Sequence, residues 1–468
     1  MVSAFLDYLD GVLYYPILII VLLGAGLFFS FKTGFVQLRW LIQSIRVVME
    51  KPSKEGSISS FQALMVSTAS RVGTGNIVGV STAICLGGFG ALFWMWVIAI
   101  IGSATAFIES TLAQVYKRRD ENGDSYGGPA YYIEHALHNK TLGAAFALSL
   151  ILTYAGGFNM LAAYNLQSTF VVYGFYDKTV TPWIIGAILA VLVGYCVMGG
   201  GKRIVRITDK LVPVMGIFYV LLAIAIIIMH LDKLPGVVSA VMSDAMDFQK
   251  IMGGISGSCM MYGIKRGLYS NEAGVGSAPN AAAAADVHHP AQQGLVQMLS
   301  VFIDTVLCTA TALMCMFSGI VPTAKLAGAP YVQAATQADF GAFGPVMITF
   351  AMILFAFTTL IGNLFYVDNC LAYLNGSKVP SASFMIKYRV VAALVIFFGA
   401  ALSMSNAWAI ADILMAVMCL INIPSILALS GTAIKVMKDY GKQLSEGKKP
   451  RFKASDVGLE KENLDFWN

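Results

Sequence analysis

Eleven apolar runs dominate this chain. Each is long enough to cross a bilayer, for which about 20 residues are needed, and they begin near Val12, Ile58, Phe89, Leu142, Thr181, Leu211, Gly257, Gly294, Phe343, Val390 and Trp408. In hydrocarbon a segment must satisfy its own backbone hydrogen bonds, and a helix does so without a partner strand. The runs therefore predict an all-α, polytopic membrane protein of about eleven transmembrane helices. Composition agrees: of 468 residues, 57% are hydrophobic and only 12% charged, with a mean hydropathy of +0.71. No stretch is left over for a soluble domain. The first run follows Asp7 and Asp10, with no basic region and no convincing cleavage site, and reads as a retained helix rather than a signal peptide.

Basic residues fall in alternate connections. Lys32, Arg39, Arg46, Lys51 and Lys54 follow the first run, and Lys117, Arg118 and Arg119 the third. Lys202, Arg203, Arg206 and Lys210 follow the fifth, Lys378 and Lys387 the ninth, and Lys435 to Lys453 lie in the tail. Short cytoplasmic loops collect Lys and Arg, so the expected arrangement is a multi-pass protein of the cell membrane with its N-terminus outside and its C-terminus in the cytoplasm. The formal charge of +5 then belongs to loops beside the lipid bilayer and does not imply nucleic acid. The seven cysteines show no CxxC spacing and read as small packing residues. The five histidines form no ligand cluster, and "DVHHP" (Asp286 to Pro290) reads as a cytoplasmic turn. HExxH, GxSxG and P-loop motifs are missing, which argues against an enzyme.

A weak internal repeat stands out. "RVGTGNI" (Arg71 to Ile77) and "EAGVGSA" (Glu272 to Ala278) each place a charge two residues before GxG, offset by 201 (272 − 71). "AFIEST" (Ala106 to Thr111) and "VFIDTV" (Val301 to Val306) agree at an offset of 195 (301 − 106), putting Glu109 opposite Asp304. Amphipathic stretches, Phe35 to Val48 and Leu234 to Met246, precede the two GxG segments. Five runs per half is an odd number, so the second half would be inverted, as alternating access requires. The expected organisation is 1–57 (N-terminal helix and cytoplasmic amphipathic helix), 58–230 and 231–440 (two inverted repeats of five helices), and 441–468 (cytoplasmic tail).

"SRVGTGN" (Ser70 to Asn76) interrupts the second run. Backbone that leaves helical geometry in a membrane is tolerated where it lines a cavity or is buried in protein. Unwinding at Gly73 and Gly75 would free the N–H groups of Thr74, Gly75 and Asn76 at the positive end of the following half-helix, a setting suited to a carboxylate. Carbonyls near Ala69 and Val72 would suit a hard cation. A glycine kink for close helix packing is the competing reading.

"FQALMVSTASRVGTGNIVGVSTAI", "GGFGALFWMW", "YGGPAYYIE" and "RGLYSNEAGVGSAPNAAAAA" together resemble the signature stretches of the alanine or glycine:cation symporter family, over nearly the whole chain. The resemblance implies sodium-coupled uptake of small neutral amino acids, alanine and glycine, by a leucine-transporter-like core whose first and sixth helices, here the second and seventh runs, are discontinuous. It also implies roles. Asn76 matches the asparagine that helps hold sodium beside the substrate carboxylate, and Asn271, near Gly274 at the second break, offers an amide oxygen to the substrate amine or an ion. Gln167 and Phe170, on the fourth run, would line the pocket, unless they simply pack. Thr358 and Thr359, midway along the ninth run, fall where the superfamily builds a second sodium site with the Ala69 and Val72 carbonyls. A threonine bonded back to its own helix is the alternative.

Charges inside the membrane need partners. For Arg71 the expected one is Glu272 across the two breaks, with Glu109 and Asp304 the other carboxylates considered. Asp304 would otherwise hold sodium or carry a proton, so a proton-coupled permease or an exchanger of the same fold is the alternative function. A channel or a membrane-embedded enzyme fits the two charged breaks less well.

Overall fold

The computed structural model describes residues 2–467 apart from 53, 55, 120–122, 248–257, 460, 461 and 463. The expected start of the seventh run, near Gly257, lies outside these. Among the described residues, seven helices are long and apolar enough to cross a membrane: Ala91–Val115, Lys140–Val172, Gly200–Met229, Pro290–Phe317, Phe343–Leu374, Ala382–Gly399 and Met404–Ala428. Thr181–Val197 is a shorter apolar helix, and the N-terminal run is Val2–Val12 and Ile19–Lys32 joined through a π-helical Leu13–Leu18. Among the described residues the protein is thus all-α apart from a two-stranded ribbon pairing Arg118 with Tyr126 and Arg119 with Ser125.

The two interrupted runs become two broken helices. Ser60–Arg71 stops, and a π-helical Gly75–Gly79 leads into Val80–Gly87; Cys259–Asn271 stops and Pro279–Ala284 resumes. Local sequence explains where they start. Ser59 caps the first by accepting from Gln62 N at 3.1 Å, while the Gln62 side chain accepts from Ser59 N at 3.2 Å, which completes a capping box. Ser258 caps the second by accepting from Met261 N at 3.2 Å. The amphipathic stretches are the helices Leu41–Val48 and Leu234–Ala245.

Both broken helices lie inside the bundle. Residues 63–84 and 263–285 are buried almost without interruption, whereas Val191, Ile217, Leu221, Ile228 and Val391 stand exposed on outer helices. Apolar outside and polar at the centre is the arrangement lipid selects. At one end the broken helices meet: Ile58 pairs with Ala285, and Asp286 N donates to Ile58 O at 2.9 Å. Lys54, Arg119, Lys202 and Arg206, from three separate connections, line one cavity of about 730 Å3 beside that junction.

Candidate functional site

At the first break, Val72 leaves helical geometry (φ −79°, ψ 89°) and Asn76 closes the gap. Its Oδ1 accepts from Gly73 N at 2.9 Å, and its own N–H donates to Gly73 O at 3.2 Å. The interruption is therefore tighter than expected, because the Asn76 N–H is already used. The Asn76 Nδ2 donates to Asp304 Oδ1 at 2.7 Å and to Asp304 O at 3.1 Å. Ser270, on the second broken helix, donates to the same Oδ1 at 2.8 Å, so one carboxylate joins both broken helices.

The second break is longer. Glu272 adopts a left-handed conformation (φ 52°), and Asn271 Oδ1 accepts from Ala273 N at 3.0 Å. Gly274, at φ 86°, occupies backbone space that other residues rarely adopt. Its N–H donates to Glu109 Oε1 at 3.3 Å, and its carbonyl accepts from Asn422 Nδ2 at 3.0 Å. Asn422 Nδ2 also donates to Glu109 Oε2 at 2.8 Å, and Tyr132 donates to Asn422 Oδ1 at 2.5 Å. Asn271 and Gly274 thus stabilise their own break.

Between the breaks lies a cavity of about 10 Å3, lined by Ser70, Thr74, Gly75, Tyr269, Glu272 and Thr359 among others. That is room for about one water. Phe158 also lines it and stacks edge-on with Tyr269, which in turn meets Trp408, with both centroid separations 4.9 Å. Close approach explains the glycines: a Cβ on Gly73 would fall 2.0 Å from Thr359 Oγ1, and one on Gly75 would fall 2.8 Å from the Tyr269 ring.

Several expectations change. Gln167 and Phe170 do not line this cavity. Gln167 accepts from Tyr176 at 2.9 Å, and the Phe170 ring packs near Tyr173 and Phe175; the same helix brings in Phe158 and Asn165 instead, the latter donating to Thr74 Oγ1 at 3.0 Å. The two threonines part company. Thr358 donates to Leu354 O at 2.9 Å on its own helix, the competing reading, whereas the buried Thr359 hydroxyl faces Gly73 with no hydrogen-bond partner. A helix turns about 100° per residue, and here that step leaves Thr358 bonded within its own helix and Thr359 facing the first break.

Arg71 does not pair with Glu272. Its Nη1 donates to Gln297 O at 3.0 Å, while Glu272 accepts from Ser70 at 2.9 Å and from Ser277 at 2.7 Å. Ser70 reaches Asn363 at 2.7 Å as well, which ties the first break to the Phe343–Leu374 helix against which Ala69 also packs, at Gly362. Sequence reading also passed over a buried charge cluster. Arg266 meets Asp412 at 2.8 Å and stacks 3.7 Å from the Trp408 ring centroid; Lys265 meets Asp412 at 3.0 Å and also pairs with Asp10. The signal was present, since Lys265, Arg266 and Asp412 are charges within apolar runs, the same criterion that singles out Arg71. His289 caps Pro290–Phe317 and its Nε2 lies 3.1 Å from Asp439.

A family model described as the sodium:alanine symporter family matches residues 1–454. The chain is 43% identical to an uncharacterized transporter of Haemophilus influenzae, covering 96% of this chain and 93% of that one. It is 41% identical to the amino-acid carrier protein AlsT of Bacillus subtilis (96% and 94% covered) and 38% identical to the sodium/alanine symporter AgcS of Methanococcus maripaludis (91% and 94% covered). Among solved structures, MhsT in complex with L-phenylalanine superposes with a TM-score of 0.50 at 15% identity, over 86% of this chain and 92% of that one, which establishes a shared fold. With full-length matches of this kind, over a fold of two broken helices that meet at a buried polar centre, the chain belongs to the sodium:alanine symporter family.

Proposed function

We propose that this protein is a sodium-coupled symporter that imports small neutral amino acids, alanine foremost and glycine with it, by alternating access between two inverted five-helix repeats. The observation that carries this reading is the pair of broken helices meeting at a buried polar centre, where Thr74, Gly75 and Glu272 line a closed cavity that would have to open to admit even glycine. The substrate carboxylate would meet the N–H groups of Thr74 and Gly75 at the positive end of the Gly75–Gly87 half-helix, and the wall opposite carries the Glu272 carboxylate for the ammonium. The name of AgcS, a sodium/alanine symporter, agrees with alanine and sodium, and that of AlsT with an amino acid.

Sodium, as the co-transported ion, would be held by the Asp304 carboxylate with the Ser270 hydroxyl beside it, oxygen ligands suited to a hard cation, while the Asn76 amide nitrogen positions that carboxylate. A second candidate position lies between the Thr359 hydroxyl and the carbonyls of Ala69 and Val72. The convergence of Lys54, Arg119, Lys202 and Arg206 at one end favours that end as cytoplasmic, with the C-terminus on the same side. Radiolabelled alanine uptake into proteoliposomes, with and without an inward sodium gradient, tests the reading. Uptake driven by an inward proton gradient in sodium-free buffer would instead select the proton-coupled alternative, with Asp304 as carrier.

A further inference from the structure

Past residue 454, where the family model's match ends, the described residues Asp465–Trp467 are seated against the end of Ala91–Val115. Asp465 is held by three bonds at the inner end of Ala91–Val115: Arg118 Nη1 to Oδ1 at 2.8 Å, Arg119 N to Oδ2 at 3.0 Å, and Arg119 Nη2 to the Asp465 carbonyl at 3.0 Å. Trp467 Nε1 donates to Gln114 O at 2.8 Å, and Ala454 N closes the loop onto Trp467 O at 2.8 Å. Phe466 and Trp467 cover the buried ammonium of Lys117, whose Nζ lies 4.5 and 5.0 Å from the two ring centroids.

What the tail covers is the junction of the broken helices. Lys117 Nζ donates to Ala285 O at 3.1 Å and Gln114 Nε2 to the same oxygen at 2.9 Å, while Ala285 is the residue paired with Ile58. Trp467, Lys117, Gln114, Ala285 and Ile58 thus form one continuous chain of contacts from the tail to the ends of both broken helices. Phe466 also lines the cavity at that junction.

We infer that the C-terminal tail, through Asp465, Phe466 and Trp467, is an autoinhibitory latch, which holds the ends of the two broken helices together and must leave its seat before that mouth of the protein opens. The consequence for transport rests on the alternating-access reading; the latch itself does not. In alternating access the broken helices separate at one mouth at a time. Contacts present only in the closed arrangement shift the population toward it by their differential free energy.

The test is opening, measured without substrate. Ser60→Cys places a thiol at the buried start of the first broken helix, where Ser60 accepts from Gln293 at 3.1 Å. Its labelling by a membrane-impermeant maleimide is followed in nanodiscs, in the full chain and with Asp465→Asn, Trp467→Ala or deletion of 455–468 added; Asp456→Asn, at an exposed tail position, is the charge control. Labelling should accelerate several-fold in the three latch variants and stay unchanged in the control. Unchanged labelling in Asp465→Asn and Trp467→Ala, at an unaltered melting midpoint, overturns the latch, as does an equal rise in the control. Faster labelling in a protein that transports no alanine would keep the latch and refute only the substrate assignment.

Discussion

Glu109 and Asp304 exchange partners across the molecule. Glu109 accepts from Gly274 in the second break at 3.3 Å, and Asp304 accepts from Asn76 in the first at 2.7 Å. Each carboxylate, at matching places in the expected repeats, binds the broken helix of the other half. A pair of such crossed bonds couples the two breaks, so a ligand that shifts one is felt at the other.

The Asp304 link should therefore govern ion dependence. Asp304→Asn keeps an oxygen for Ser270 and Asn76 but removes the charge that a sodium ion would need. Sodium-driven alanine uptake should fall by about tenfold or more, corresponding to the loss of roughly 1.4 kcal/mol of ion binding. The rise in melting temperature on adding sodium chloride should vanish with it. A wild-type sodium half-saturation in this variant would remove Asp304 from the ion site.

Thr358 and Thr359 should behave differently. Because Thr359 faces Gly73 with a free hydroxyl while Thr358 is bonded to Leu354 O, Thr359→Ala should raise the sodium half-saturation and Thr358→Ala should leave it nearly unchanged. Uptake titrated with sodium distinguishes them, and equal effects would contradict the assignment.

Gly75→Leu should abolish alanine binding while the protein still folds. The first added carbon already falls 2.8 Å from the Tyr269 ring, which is itself packed against Phe158 and Trp408. Scintillation proximity binding together with a melting curve reads both halves of this expectation.

Asp412 is the common partner of Arg266 and Lys265, and both cations are largely buried. Asp412→Ala leaves Arg266 without its carboxylate, while Lys265 keeps Asp10, at a typical cost of roughly 3 to 5 kcal/mol for breaking a buried pair. A markedly lower melting midpoint is expected, with Asp412→Glu retaining most of the stability.

Lys117 should give tail seating a pH dependence. Burial lowers its ammonium to about 7, against the favourable influence of Asp286 and with Arg119 adding to the lowering. The rings of Phe466 and Trp467 favour the charge, but among the described residues no carboxylate lies within ion-pair distance of it, and burial prevails. Between pH 7 and the ordinary lysine value the unseated form binds more protons than the seated one, so seating strengthens as pH rises through this window and is weakest below 7. Protection of the tail from limited proteolysis should increase from pH 7 to 9 in the wild type and become flat in Lys117→Met.

The sequence by itself determined the architecture. Long apolar runs admit only helices in lipid, and "RVGTGNI" and "EAGVGSA" mark where two helices break. It also marked Asn76, Thr74, Gly75, Glu109, Glu272 and Asp304 as residues of the centre, since polar groups in a membrane are costly unless they face one another. Only the tertiary structure decided who faces whom. Gln167 and Phe158 lie on one run, and helix phase alone turns the second inward; Thr358 and Thr359 are separated by a single residue step of about 100°. Arg71 finds a carbonyl, Gln297 O, which no side-chain pattern advertises. The Asp412 cluster and the tail on Lys117 join residues more than a hundred positions apart. Periodicity and composition record what a segment does to its own backbone and its solvent, whereas the pairing of distant side chains is settled only when the helices pack.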